Sequence, residues 1–92
     1  MVGCYPVTES VFSEKYDRFR LLLVQARKQA GLTQIQVADR LSRPQSYVSK
    51  YERGERRLDV IEFFDVATAI RVDPFDFLKS LQDGLVDPQE IA

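Results

Sequence analysis

Residues Gly31 to Gly54, GLTQIQVADRLSRPQSYVSKYERG, carry a helix start, a short polar break, a second helix start and a glycine stop. Thr33 follows a Gly-Leu break and can accept the free backbone N–H groups of the turn Gln34-Ile35-Gln36. Val37 and Leu41 recur at i, i+4 as an apolar stripe, so a helix is predicted from about Gln34 to Leu41. Ser42 or Arg43 closes it, and Pro44 suits the first turn of the next helix, where a missing N–H costs nothing. This second helix turns Val48 and Tyr51 inward and stops at Gly54, a residue that accepts left-handed backbone readily. Its other face is Gln45, Ser46, Ser49, Lys50 and Arg53. Two short helices joined by so brief a break form a helix-turn-helix, which places side chains in the DNA major groove, about 12 Å wide. Gln suits adenine N6/N7 and Lys guanine O6/N7. Polar outward faces are also the rule for surface helices, so the face alone does not decide the matter.

The composite of Leu32-Thr33-Gln34 opening the first helix, Ala38 at the helix contact, Val48 and Tyr51 buried, and Glu52-Arg53-Gly54 closing the second resembles the phage lambda repressor-like (XRE) family. The similarity extends from about Ser13 to Leu81. It implies an all-α fold, a five-helix lambda repressor-like DNA-binding domain over residues 13–82, flanked by an N-terminal extension at 1–12 and a C-terminal tail at 83–92. Two positions depart from the family pattern. Ser42 stands where the family often has Gly, and serine takes a left-handed φ less readily. Arg43 stands where an apolar residue is usual, and is expected to touch phosphate instead of packing. Gln34 lies at the amino end of the first motif helix, where the dipole and free N–H groups favour a phosphate. The resemblance adds that its side chain braces Gln45, and that Arg27 and Glu52 form a buried or half-buried ion pair.

Composition agrees with a small domain and narrows the alternatives. Ninety-two residues, 45% hydrophobic, suffice for one core and one domain. Apolar runs such as Leu21–Val24 are far too short to span a bilayer, and MVGCYPVTES lacks the basic start and apolar run of a signal peptide, so a cytoplasmic protein is expected. A lone Cys4 cannot form an internal disulfide, and with no histidine the usual zinc spacings are missing. No phosphate-binding glycine loop or catalytic carboxylate pair is evident. Neither an enzyme nor a cofactor or metal protein is expected.

A net charge of −1 and a pI near 5.4 run against a nucleic-acid binder, but the distribution does not. Arg40 to Arg57 holds six basic residues against Glu52 and Glu55, a net +4, whereas Leu58 onward holds eight acids against Arg71 and Lys79, a net −6. Exposed charges are screened beyond roughly 8–10 Å, so the basic block acts locally and the acidic half is expected to face away from DNA.

Around the motif, Ser13 is read as the cap of a first helix whose stripe is Tyr16, Phe19, Leu22, Leu23, Ala26 and Ala30. Asp59 is read as the cap of a fourth helix, Val60 to about Arg71, presenting Ile61, Phe64, Ala67, Thr68 and Ile70, with Phe63 and Val66 on a neighbouring face. Asp73-Pro74 signals a fifth helix containing Phe75, Phe77, Leu78 and Leu81. Four phenylalanines in so short a span either complete the core or leave part of an apolar face exposed. Because the family commonly pairs through its last helices, the resemblance assigns Phe63, Phe75, Phe77 and Leu81 to a dimer interface. Tyr5, Val7, Val11 and Phe12 could pack on the domain or a partner, and Leu85, Val86 and Ile91 could add a dimer contact.

The expected function is therefore a sequence-specific regulator of double-stranded DNA, a homodimeric repressor at a palindromic operator. Gln45, Ser46, Ser49 and Lys50 are assigned to bases; Gln34, Arg43, Arg53, Arg56 and Arg57 are assigned to phosphates. A restriction-modification controller or an antitoxin with a protein partner belongs to the same class. The alternative is a protein-interaction module that keeps the fold without binding DNA.

Overall fold

Five helices follow one another without a strand among the described residues: α1 (Tyr5–Gln29), α2 (Gln34–Leu41), α3 (Gln45–Arg53), α4 (Val60–Ala69) and α5 (Pro74–Leu85). This computed structural model describes residues 5–85, with side chains from 14 to 84. The packing suggested for Tyr5, Val7, Val11, Phe12, Leu85, Val86 and Ile91 lies outside the described side chains. No helix among the described residues is long and apolar enough to cross a membrane.

The helix boundaries follow local chemistry. Thr33 Oγ1 accepts the Gln36 amide at 3.1 Å while the Gln36 side chain takes the Thr33 amide at 2.9 Å, a reciprocal capping box. Asp59 and Glu62 repeat the device at the start of α4. At α5, Asp73 Oδ1 accepts the amides of Phe75 and Asp76 behind Pro74 at the first helical position. Gly54 ends α3 at φ +81, and a Cβ there would lie 3.0 Å from Arg20 Nε, so both backbone and space favour glycine.

Three expectations are corrected. The first helix starts at Tyr5, so Ser13 is not its cap. Pro44 is the residue before α3, with extended φ −69 and ψ 156, and the helix proper opens at Gln45. On α4 the inward face is Phe63, Val66, Ala67 and Ile70, while Ile61 and Thr68 are exposed. The heptad positions alone left two overlapping apolar stripes on that helix, and packing against α1 and α5 chose between them.

Leu23 of α1, Val37 and Ala38 of α2, Val48 and Tyr51 of α3, Phe63 and Val66 of α4 and Phe77 of α5 meet in one core. Phe19, Phe63 and Phe77 form an aromatic triad with centroids 5.3–5.8 Å apart, each pair worth roughly 0.5–1.5 kcal/mol beyond its buried area. Phe63 and Phe77 are thus core residues of the chain itself. They are buried and cannot form an exposed dimer patch; Phe75 is 70% exposed and Leu81 half-buried.

Candidate nucleic-acid interface

Helix α3 divides into two complementary arcs. At 100° per residue, Tyr47, Val48, Tyr51 and Glu52 fall together and are buried. Gln45, Ser46, Lys50 and Arg53 fall on the other arc and are exposed, with Ser49 half-buried among them. The turn that sets this helix against α2 is closed by Ser42 at φ +56, whose amide bonds to Asp39 O while the Arg43 amide bonds to Ala38 O. Serine adopts here the left-handed backbone that glycine would take more cheaply, at a cost of about 1 kcal/mol. Ala38, 2% exposed, is small enough to let α2 and α3 approach.

One polar chain connects the interior to the exposed arc. Arg27 Nε and Nη2 donate to Glu52 Oε2 at 2.6 Å and Oε1 at 3.1 Å, a forked pair with both side chains largely shielded from water. Glu52 Oε1 also accepts Gln34 Nε2 at 2.8 Å, and Gln34 Oε1 accepts Gln45 Nε2 at 3.3 Å. The expected Arg27–Glu52 pair and the bracing of Gln45 are both present. Arg20, which the sequence left unassigned, donates from Nη1 to Glu52 O at 2.8 Å and ties the end of α3 to α1.

The basic residues differ in how free they are. Arg53 is engaged by Glu55 at 2.8 Å and 3.0 Å and by Ser49 Oγ. Arg56 is held by Glu62 at 2.6 Å and 3.1 Å and lies over the Tyr47 ring, 4.7 Å from its centroid. Arg43 covers the same ring at 4.8 Å, and Arg57 covers Tyr16 at 4.3 Å; neither has an ion-pair partner among the described residues. Tyr16 Oη accepts the Leu58 amide at 3.1 Å and donates to Arg56 O at 3.4 Å, fixing the α3–α4 loop to α1. Tyr47 and Glu62 are the organisers that sequence reasoning missed. The Asp-x-x-Glu spacing was a legible signal for Glu62; nothing in the sequence marked Tyr47 as a platform for two arginines.

Arg56 hydrogen bonds and the Asp59 amide hold the Glu62 carboxyl down at about 2, against an ordinary 4.5. A depressed carboxylate stabilises the fold above its unfolded value, and that contribution is lost as pH falls from about 4.5 through 2. Glu62→Gln should therefore melt below the wild type at pH 6, with the difference shrinking towards pH 2. A gap that stays constant across this range would remove the charge from the explanation.

These features meet comparison with known proteins. A helix-turn-helix family model matches residues 23–77, more than half of the chain. The structure of an XRE-family like protein from Pseudomonas syringae pv. tomato is 47% identical, covers 84% of this chain and 94% of its own, and superposes with a TM-score of 0.81. The chain belongs to the XRE family of helix-turn-helix DNA-binding regulators. The restriction-modification controller protein C.AhdI from Aeromonas hydrophila is 29% identical, with 67% of this chain and 94% of that one covered and a TM-score of 0.62. A second restriction-modification controller, a tetramer in complex with its natural 35-base-pair operator, shares the fold at TM-score 0.72 and 19% identity, over 79% of this chain and 96% of its own. No curated protein matches significantly. In this XRE domain the exposed arc of α3 carries Gln45, Ser46, Lys50 and Arg53, the α2–α3 turn carries Arg43, and the α3–α4 loop carries Arg56 and Arg57.

Proposed function

We propose that the chain is a homodimeric repressor that occupies a palindromic operator, with α3 in the major groove. The observation that carries this reading is the exposed arc Gln45, Ser46, Lys50, Arg53, whose first member is braced through Gln34 to a buried ion pair. Gln45, Ser46 and Lys50 touch base edges and Ser49 the margin of the groove. Arg43 and Arg57, with no carboxylate on them among the described residues, reach phosphates directly; Arg53 and Arg56 do so while sharing their guanidinium groups with Glu55 and Glu62. The Gln34 backbone N–H meets a phosphate at the amino end of α2, its side chain being held by Glu52 and Gln45. A solved relative of the same fold that holds its own operator supports the reading.

A single recognition helix contacts few base pairs, so operator-level affinity calls for two half-sites about 34 Å apart. Val60, Ile61, Phe75 and Leu78 are exposed apolar side chains on α4 and α5, the face left for a second subunit once α3 is turned to DNA.

The test is a titration of DNA from the chain's own promoter region by gel shift or anisotropy. Lys50→Ala should cost about 1–3 kcal/mol on the preferred site and relax preference at one base position. Equal loss on every sequence would make Lys50 a phosphate contact. Arg43→Ala should weaken binding to all sequences and flatten the log–log salt slope by about one unit per subunit. An unchanged slope would take Arg43 out of the phosphate set.

A further inference from the structure

Away from the exposed arc of α3, a cleft of about 540 Å³ opens between the end of α2, its turn into α3 and the last turns of α4. Arg40, Arg43, Arg71 and Asp65 are the charged residues lining it, a balance of two positive charges, and Tyr47 and Thr68 lie beside them. Arg20, Arg27, Arg53 and Arg56 each sit on a carboxylate, whereas none of the three arginines of this cleft has an ion-pair partner among the described residues. Arg18 and Arg57 elsewhere also lack an ion-pair partner among the described residues, and what sets this cleft apart is that three such arginines share one lining. Arg40 is held in place by donating from Nη1 to Ala69 O at 2.8 Å, which leaves its other N–H groups available. Arg71 adopts φ +63, a backbone that glycine would take without strain, so a long cationic side chain stands on the lining of the cleft against local preference.

We propose that this cleft binds a small, multiply charged phosphate-class anion, a phosphomonoester or pyrophosphate-type group. Guanidinium forks match the oxygens of such a group two at a time, and a ligand of charge about −2 to −3 offsets the two net positive charges of the lining. The site stands apart from base reading by α3 and does not depend on it. Arg43 is the one residue common to this cleft and to the phosphate set, so the DNA backbone is the other source of the same chemistry, and the experiment separates them.

Inorganic pyrophosphate is titrated into the full chain by calorimetry at fixed ionic strength. Wild type should bind one equivalent saturably. Arg71→Gly, which removes the charge while easing the backbone, should weaken binding about tenfold. Asp65→Asn should tighten it two- to threefold, on the order of a partly exposed charge pair. Lys79→Ala, outside the cleft, should change nothing. Promoter DNA binding by Arg71→Gly should keep the wild-type salt slope. Pyrophosphate binding that is indifferent to Arg71→Gly, or weakened by Asp65→Asn, would overturn the site. A DNA salt slope flattened by about one unit in Arg71→Gly would assign the cleft to a backbone phosphate and overturn the free-anion reading.

Discussion

Glu52→Ala should destabilise the fold by about 3–5 kcal/mol and lower the melting temperature by more than about 10 °C. The side chain is 5% exposed and its Arg27 partner 12%, so removing the carboxylate leaves a guanidinium facing the interior with no compensating charge. It also leaves Gln34 Nε2 without its acceptor, and with it the brace on Gln45. The exposed Arg53–Glu55 pair supplies the internal control. Both partners are more than half exposed and screened by solvent, so Glu55→Ala should leave the unfolding midpoint close to the wild-type value. Urea unfolding of the two variants beside the wild type gives the comparison, and a Glu52→Ala midpoint equal to the wild-type value would exclude the pair as a fold determinant. Replacing both members, Arg27→Met with Glu52→Leu, should recover much of the stability, because well-packed apolar residues commonly equal a buried pair. DNA binding should not recover with it, since Gln34 and Gln45 would still lack their anchor. Separation of stability from DNA affinity in that double variant distinguishes a positioning role from a purely structural one.

Phe75→Asp should produce the largest loss of operator affinity, about 10²–10⁴-fold, without unfolding the domain. Phe75 is 70% exposed in the single chain, so a charge there removes little monomer packing. If two copies join across α4 and α5, the same charge is buried in the interface and unpaired, and the subunits separate. Each then reads one half-site, and the effective concentration that linked the two recognition helices is gone. Light scattering should move from a dimer towards the 10.6 kDa chain mass, with helical content retained by circular dichroism. A wild-type chain that is monomeric at micromolar concentration, with or without operator DNA, would refute this interface. Phe77→Asp offers no substitute test, because Phe77 is 8% exposed and its loss would disturb the core directly.

The difference between Phe75 and Phe77 marks where sequence reasoning stopped. Both lie on α5 two positions apart, both are aromatic, and the family resemblance gave them equal weight as interface residues. Two residues on a helix are 200° apart, so they cannot share a face. Which of them meets the core depends on how α5 is rotated against Phe19 and Phe63, contacts across 58 and 14 residues of chain. The same limit explains α4, where Phe63 and Val66 turned inward instead of Ile61 and Thr68. On α3 the reading succeeded because its apolar residues are few and leave one arc.

The sequence by itself determined the helix-turn-helix and its limits. Thr33, Gly54, Asp59 and the Asp73-Pro74 pair act on amides within a few residues of themselves, so their effect is local and legible in order along the chain. It also determined the exposed arc of α3, since register within one helix is fixed by 3.6 residues per turn. Tertiary structure alone decided which arginines are free. Arg56 reaches both Glu62 and the Tyr47 ring, and Arg40 and Arg71 line one cleft, because helix packing brings side chains together from different parts of the chain; Arg53 with Glu55, two residues on, is the local exception. Long flexible cations carry no positional signal of their own in the sequence, and their partners are selected only when the backbone around them is already in place.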